Sequence, residues 1–294
     1  MIIGISGKAQ SGKDTVGKIV QYLTSTKFQS PLFQKDTHIK TECSWELFTE
    51  YNWNILNSDW QIKKFATKVK QILSLLTGIP VEDFEKEEVK SSYLGEEWDY
   101  VMIGDTLCTV QDLYDYASGT TYIPKNSDIQ KMTIRQAMQL IGTDLFRDKF
   151  HPNTWVNALF AEYKLDYGCN EKCQNDIDAL NKGDHCVHPK YCQNAKYPNW
   201  IITDVRFPNE AQAILDKGGI LIRVNRKLVV GGDDYGYTKV SVNQAEKDGI
   251  IKPQHESEIA LDSYDKFHYV IDNDGTIKEL IEKVREILIK EKLV

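Results

Sequence analysis

The chain has 294 residues, of which 41% are hydrophobic and 27% charged, and such a composition is sufficient for a packed core in one large domain. Its formal net charge of −7 excludes a protein that coats polymeric nucleic acid, because such proteins need an excess of lysine and arginine. No apolar run approaches the roughly 20 residues that a bilayer-spanning helix requires. Together with the lack of a basic leader, this predicts a cytoplasmic protein with no membrane partner.

The chain opens with a pattern typical of a strand, a glycine-rich turn and a helix. Residues 1–6 form an apolar run that stops at Gly7. From residue 15 to residue 23, apolar side chains recur at the spacing of one helix face. We therefore predict that the first strand leads directly into the first helix.

Two polar stretches interrupt the pattern. Residues 28–60 have no clear period, and residues 165–199 carry four of the six cysteines. We predict both as insertions into a single domain that covers residues 1–294. Between them, one helix is predicted over residues 65–76 with its end at Gly78, and a second begins at Thr133, which has capping-box spacing with Gln136.

The second half of the chain predicts parallel strands. Residues 200–203 and 220–224 are apolar runs separated by a helical stretch over residues 210–215, which is the pattern of a β-α-β crossover. A last strand over residues 269–272 precedes a helix that Thr276 and Glu279 cap. The expected fold class is α/β, with a parallel sheet and helices on both faces.

One motif between the first strand and the first helix indicates a phosphate-binding loop. The pattern G-x-x-x-x-G-K is met by Gly7, Lys8, Ala9, Gln10, Ser11, Gly12 and Lys13. Backbone N–H groups of such a loop bind phosphate oxygens, and the lysine bridges the β- and γ-phosphates of ATP. Asp14 stands where a magnesium-binding hydroxyl is usual, followed by Thr15. Asp14 is predicted either to bind Mg²⁺ or only to stabilise the helix N-terminus.

Four segments together carry a resemblance to a known family. They are S-G-K-D-T at residues 11–15, R-Q-A-M-Q-L-I-G-T-D at residues 135–144, D-V-R at residues 204–206 and V-I-D-N-D-G at residues 270–275. In this order they resemble the phage-type deoxynucleoside monophosphate kinases. The resemblance implies a three-layer P-loop NTPase fold that uses ATP and Mg²⁺ to phosphorylate a (deoxy)nucleoside monophosphate.

The same resemblance implies roles for individual residues. Lys70 and Arg135 match family positions that bind the acceptor phosphate, and Arg206 follows the aspartate that ends a strand. With Lys13, these two arginines form the predicted catalytic set. Arg226 matches the position of an arginine that lies near the donor base in this family.

Each of the polar residues near these positions has two possible roles. Asp204 is predicted to bind Mg²⁺ or simply to end a strand. Thr143 and Asp144 are predicted to bind the acceptor base or sugar, with a helix kink at Gly142 as the alternative. Arg147 is either a lid arginine or a solvated side chain. No catalytic histidine is expected, because an acceptor phosphate is already an oxyanion and needs no general base.

The cysteines of the second insertion are candidates for a structural metal site. Cys169, Cys173, Cys186 and Cys192 could bind Zn²⁺ in a tetrahedral arrangement, with unligated thiols as the alternative.

Two other functions fit parts of the pattern. The loop and the later D-x-R also resemble the animal-type phosphomevalonate kinases, although Thr15 and the helix opened by Arg135 favour the nucleotide acceptor. A regulatory protein that binds ATP without transferring phosphate is the second alternative. The sequence leaves open the oligomeric state, including a homodimer, and the acceptor base.

Overall fold

A computed structural model describes residues 1–25, 44–50, 58–103, 106–109, 129–165, 196–231, 237–240 and 256–294. The chain divides into two compact units. The first, which we call the sheet unit, comprises residues 1–64 and 159–294. The second unit comprises residues 65–158.

The described strands, in chain order, are β1 (Ile2–Ser6), β2 (Trp60–Lys63), β3 (Tyr100–Ile103), β4 (Thr106–Thr109), β5 (Asn199–Val205), β6 (Ile220–Asn225), β7 (Leu228–Gly231), β8 (Tyr237–Val240) and β9 (Tyr269–Asp272). The α-helices are α1 (Lys13–Thr24), α2 (Trp45–Glu50), α3 (Ala66–Thr77), α4 (Glu87–Lys90), α5 (Ile134–Gln139), α6 (Thr154–Phe160), α7 (Pro208–Asp216), α8 (Glu256–Ile259) and α9 (Ile277–Lys290). Short 3₁₀ helices lie at Val81–Glu85 and Glu96–Trp98, and a π-helix at Leu140–Phe150 continues α5.

The central sheet of the sheet unit is parallel. Within the described ranges it has five strands in the order β2-β5-β1-β6-β9, and every neighbouring pair is parallel. The chain runs from β5 through α7 to β6, which confirms the predicted crossover. Because all five strands point the same way, their carboxyl ends share one edge of the sheet, where ligands bind in folds of this class.

Helices cover both faces of this sheet. Ile3 and Ile5 of β1 are fully buried in one cluster with residues of α1 and α9, including Val284. On the opposite face, a Cβ at Gly4 would come within 2.7 Å of Cδ1 of Ile214 in α7, so the helix packs closely against the strand. Burial of each such aliphatic side chain stabilises the fold by roughly 1.5–3 kcal/mol. The expected α/β class is confirmed.

The predicted helix ends are also confirmed. The Thr133 backbone N–H donates to Oε1 of Gln136 at 2.8 Å, and the Gln136 N–H donates back to the Thr133 hydroxyl. Thr276 and Glu279 form the same capping box at the start of α9. Gly78 ends α3 in the left-handed region at φ +73°, and its N–H donates to the Ser74 carbonyl at 2.8 Å.

In the second unit, a single helical stretch changes type along its length. Helix α5 passes into the π-helix at Leu140, and the indole Nε1 of Trp155 donates to the Gly142 carbonyl at 2.6 Å. The side chain of Val69 lies against Gly142 from α3. Thus the change in helix type begins before the glycine at which the sequence suggested a kink.

Several short elements were not predicted from the sequence. Trp60 ends the stretch predicted as a peripheral insertion, yet it is 5% exposed and begins β2 at the end of the described sheet. The strand is only W-Q-I-K, too short for a clear period. The acidic sequence between Gly78 and residue 127 has no clear helix or strand pattern, yet its described part includes α4 and the β3-β4 hairpin. Residues 28–43 and 51–57 of the first insertion and residues 166–195 of the second lie outside the described residues.

Among the described helices, none has both the length and the apolar character that crossing a bilayer requires.

Candidate phosphate-binding site

The loop between β1 and α1, residues 7–12, is a tight turn that we call the phosphate loop after its predicted role. Gln10 and Gly12 have φ of +60° and +93°, both in the left-handed region that favours glycine. The N–H of Ser11 donates to the Lys8 carbonyl at 3.2 Å, which closes the turn. A Cβ at Gly7 would come within 2.6 Å of the Val224 backbone oxygen, so this position also requires glycine.

Lys13 is the first residue of α1 and folds back over the loop. Its Nζ donates to the Lys8 carbonyl at 3.1 Å. Burial lowers the pKa of Lys13 below its ordinary value, since desolvation penalises the charged form. A bound phosphate would supply the negative charge that favours a protonated Lys13.

Other charges lie close enough to Lys13 to affect its pKa. The guanidinium of Arg206 lowers the pKa further, because two like charges repel. Three carboxylates act in the opposite direction, namely those of Glu258, Asp14 and Asp204. The structure therefore brings the predicted residues Lys13, Asp14, Asp204 and Arg206 into one charged cluster beside the loop.

The end of β9 contacts the same loop. Nδ2 of Asn273 donates to the Ser11 carbonyl at 2.9 Å, and a Cβ at Gly12 would come within 2.4 Å of this nitrogen. Oγ of Ser11 is buried and has no hydrogen-bond partner in the described part of the chain. Asn273 belongs to the V-I-D-N-D-G segment, but no local pattern in that segment predicts that its amide contacts the phosphate loop.

Asp14 and Asp204 supply carboxylates beside Lys13. Oδ1 of Asp14 accepts a hydrogen bond from Oγ1 of Thr203 at 2.6 Å and pairs with Nζ of Lys64 at 3.3 Å. Desolvation raises the pKa of Asp14, but the Thr203 hydrogen bond and the Lys64 charge outweigh it and keep the pKa below its ordinary value.

This pair of carboxylates fits the chemistry of Mg²⁺. The ion takes one or two protein carboxylates together with water and substrate phosphates, rather than a complete protein cage. Asp14 stays ionised, and its side chain is 58% exposed, so it can reach a hydrated ion. Asp204 is buried at the end of β5, and Thr15 is half-buried in the first turn of α1.

Arg206 follows β5 in a turn that a buried glutamate shapes. Oε2 of Glu210 accepts the backbone N–H groups of Arg206 and Phe207 at 2.8 and 3.1 Å. Nη1 of Arg206 lies 3.3 Å from Oγ of Ser257 and forms an ion pair with Glu258. The turn thus fixes the backbone position of Arg206, and α8 contacts its guanidinium.

Arg223 of β6 contacts residues next to the loop, although no role was predicted for it from the sequence. Nη1 of Arg223 donates to Oγ of Ser6 at 3.0 Å, and Nη2 donates to Asp262 at 2.7 Å. Arg226, the predicted donor-base residue, is exposed just after β6.

The second unit holds the residues predicted to bind the acceptor. Lys70 is buried in α3 and paired with Glu85. Arg135 is the second residue of α5, is 48% exposed and pairs with Glu87. Since exposed ion pairs contribute about 0–1 kcal/mol, Glu87 holds Arg135 only weakly against a competing anion.

The remaining acceptor candidates lie along the π-helix. Thr143 is buried, Asp144 is exposed and Arg147 is half-buried. Burial favours a packing role for Thr143, whereas Asp144 can reach solvent.

The predicted zinc ligands cannot be placed. Cys169, Cys173, Cys186 and Cys192 lie outside the described residues. Elsewhere, in the ranges that the structure covers, three or more His, Cys, Asp or Glu side chains never cluster in a way that could hold a metal ion.

Comparison with known proteins gives one distant relative. No family model matches the chain. Over 156 residues it is 28% identical to an Acanthamoeba polyphaga mimivirus protein named "Putative deoxynucleotide monophosphate kinase". The match covers 52% of this chain and 59% of the mimivirus protein, so less than two thirds of that protein is spanned.

Proposed function

We propose that the protein is a deoxynucleoside monophosphate kinase of the phage type, which transfers the γ-phosphoryl group of ATP to a (deoxy)nucleoside 5′-monophosphate. The observation that carries the proposal is the glycine-dependent loop at the end of β1, with Lys13 folded over it and Arg206 beside it. The likeness to the mimivirus protein adds support, because that protein is named a putative deoxynucleotide monophosphate kinase.

On the donor side, the loop amides and the N-terminus of the 12-residue helix α1 attract the phosphates of ATP. Lys13 neutralises charge at the β- and γ-phosphates. Asp14, Asp204 and the neighbouring Thr15 hydroxyl would hold the hydrated Mg²⁺, which reduces the charge on the phosphates when bound.

On the acceptor side, Arg135 and Lys70 bind the 5′-phosphate of the nucleotide. A guanidinium offers two parallel N–H donors to a phosphate, whereas the lysine acts as a point charge. We assign Asp144 to the acceptor base or sugar, Arg147 to a lid over the phosphates, and Arg226 to the donor base. Thr143 contributes through packing.

The reaction needs no proton acceptor. An oxygen of the acceptor phosphate attacks the γ-phosphorus, the bond from that phosphorus to the β–γ bridging oxygen breaks, and ADP leaves with the electron pair. Arg206 and Lys13 stabilise the charge on the equatorial oxygens during the transfer.

The test is turnover of a panel of acceptors by the full chain with ATP and Mg²⁺. The panel contains the deoxynucleoside and ribonucleoside monophosphates and phosphomevalonate, and ADP formation is measured with and without each acceptor. We expect turnover of at least one deoxynucleoside monophosphate. Phosphorylation of phosphomevalonate alone, or ATP binding without transfer to any acceptor, would contradict the proposal.

The predicted structural Zn²⁺ is a separate proposal. Metal analysis of protein purified without chelator tests it, and less than about a tenth of an equivalent of zinc would reject it.

A further inference from the structure

Glu258 and Asp262 belong to one short segment, and the carboxylate of each joins the phosphate loop to an arginine. The segment starts in α8 and continues through turns to Tyr264. Glu258 contacts Ala9 and Arg206, and Asp262 contacts Lys8 and Arg223. Neither carboxylate was assigned a role by the sequence.

Glu258 uses each of its carboxylate oxygens for a different partner. Oε2 accepts the backbone N–H of Ala9 at 2.9 Å, and Oε1 accepts Nη1 of Arg206. The side chain of Glu258 is 18% exposed, so its ion pair with Arg206 is partly shielded from water, whereas Ala9 lies at the surface. One side chain therefore links the phosphate loop to the arginine that follows β5.

Asp262 repeats the arrangement four residues later. Oδ2 accepts Nζ of Lys8 at 2.6 Å, and Oδ1 accepts Nη2 of Arg223 at 2.7 Å. Between the two carboxylates, Leu261 is 2% exposed and anchors the segment in the core. A fixed segment can hold two carboxylates at set positions, which a mobile one could not.

The contacts leave most of the Arg206 guanidinium available to a phosphate. Among the described residues, both of its side-chain partners, Ser257 and Glu258, use Nη1. The N–H groups of Nη2 and Nε are not used by these partners, and the side chain is 36% exposed. A guanidinium held by one nitrogen can present the others in a fixed direction.

We propose that Glu258 is a positioning residue of the phosphoryl-transfer site, which holds Arg206 at a set distance from the phosphate loop, while Asp262 holds Lys8 in the same way. The inference rests on the proposed kinase function. Without the Glu258 carboxylate, Arg206 and Lys13 are like charges in one cluster, and the arginine turns away from the loop. Displacement of this kind lowers the rate of transfer more than the affinity for ATP.

The alternative is that Glu258 occupies a place that a phosphate takes when ATP binds. The two roles predict opposite results for Glu258→Gln. A positioning role predicts a kcat lower by about tenfold with the KM for ATP changed less than about threefold. An occupant that ATP must displace predicts tighter ATP binding with kcat retained, and this result would overturn the proposal.

Three companion variants make the test specific. Glu256→Gln removes an exposed carboxylate from the same helix and should leave both constants within about twofold. Glu258→Asp keeps the charge but is one methylene too short to reach both partners, so it should also lower kcat, and it covers the case that the glutamine variant folds poorly. In an Arg206→Ala background, Glu258→Gln should lower kcat by less than about a further twofold, because its effect passes through Arg206. If the kcat losses of the two single variants multiply in the double variant, the proposal is overturned.

Measurements of protein stability separate this inference from the kinase proposal. Thermal unfolding of the wild type, Glu258→Gln, Arg206→Ala and the double variant measures the coupling between Glu258 and Arg206 without any substrate. If the wild type turns over no acceptor, the kinase proposal fails, and non-additive shifts in Tm still support the link between the two residues. Additive shifts would reject that link even in an active enzyme.

Discussion

Thr203 donates a hydrogen bond from Oγ1 to Oδ1 of Asp14 over 2.6 Å, and this bond joins β5 to the first turn of α1. Lys64 pairs with the same carboxylate oxygen. Among the described residues both partners therefore use Oδ1, which leaves Oδ2 for a cation. A carboxylate at the start of a phosphate-binding helix would repel phosphates unless a cation lay between them. The Thr203 hydrogen bond therefore holds Asp14 in an orientation in which Oδ2 can accept a cation.

Replacing Asp14 with asparagine should raise the Mg²⁺ concentration that gives half-maximal activity by about tenfold, since an amide oxygen is a weaker ligand than a carboxylate. The measurement is initial rate against Mg²⁺ at saturating ATP. Asp265→Asn, which removes an exposed carboxylate elsewhere in the sheet unit, is the control and should leave the curve unchanged. An unchanged curve for Asp14→Asn would assign this residue to the helix N-terminus alone.

Lys13→Ala should lower kcat/KM by more than tenfold, which corresponds to about 1.4 kcal/mol of lost transition-state stabilisation. The reason is the loss of the half-buried ammonium that folds over the phosphate loop. Lys18→Ala, an exposed change on the same helix, is the matched control. A Lys13→Ala enzyme that keeps more than about a tenth of the wild-type kcat/KM would place the transferred group elsewhere.

Local sequence patterns were sufficient for the elements whose signals lie within a few residues. The caps at Thr133 and Thr276 need only a partner three residues away, and the apolar runs of β1 and β5 are long enough to read as buried strands. The four-residue β2 was missed because its pattern is too short to show a period, and because its burial depends on β5, more than 130 residues away.

The supports of the site could not be predicted for the same physical reason. Glu258 contacts Ala9 across 249 positions of the chain, and Asn273 contacts Ser11 across 262. Nothing in the residues around Glu258 indicates a loop amide as its partner, because parallel strands bring distant segments to one edge of the sheet. Only the folded chain gives Glu258 its partners.

Arg135→Lys should raise the KM for the acceptor nucleotide by about tenfold and leave the KM for ATP within about twofold, because a lysine cannot form two parallel hydrogen bonds with a phosphate. The measurement is the rate as a function of each substrate in turn. Glu87→Gln removes the carboxylate that pairs with Arg135, so it should lower the acceptor KM or leave it unchanged. Equal increases in both KM values for Arg135→Lys would argue against a role specific to the acceptor.

The Tyr93 hydroxyl should ionise at an unusually high pH. Desolvation, together with the hydrogen bond that its hydroxyl donates to Asp99 at 2.8 Å, raises the pKa of Tyr93 to about 12 from an ordinary 10.0. Because the folded state holds this proton more tightly, the resulting stability is complete below pH 10 and is lost as the pH rises through about 12. Tyrosinate absorbance of the wild type minus that of Tyr93→Phe isolates this group. A difference curve with its midpoint near pH 10 would contradict the expectation.

Thr276→Ala should lower the free energy of unfolding by about 1 kcal/mol, since it removes the N-cap of α9. The Thr276 hydroxyl accepts the Glu279 N–H at 3.3 Å, and the helix that follows buries Leu280 and Val284 against the sheet. Thr276→Ser keeps the capping oxygen and should stay within about 0.5 kcal/mol of the wild type. Urea unfolding of the three proteins at equal m-values gives the comparison. Equal losses for alanine and serine would show that the methyl group, rather than the capping hydrogen bond, stabilises this end of the helix.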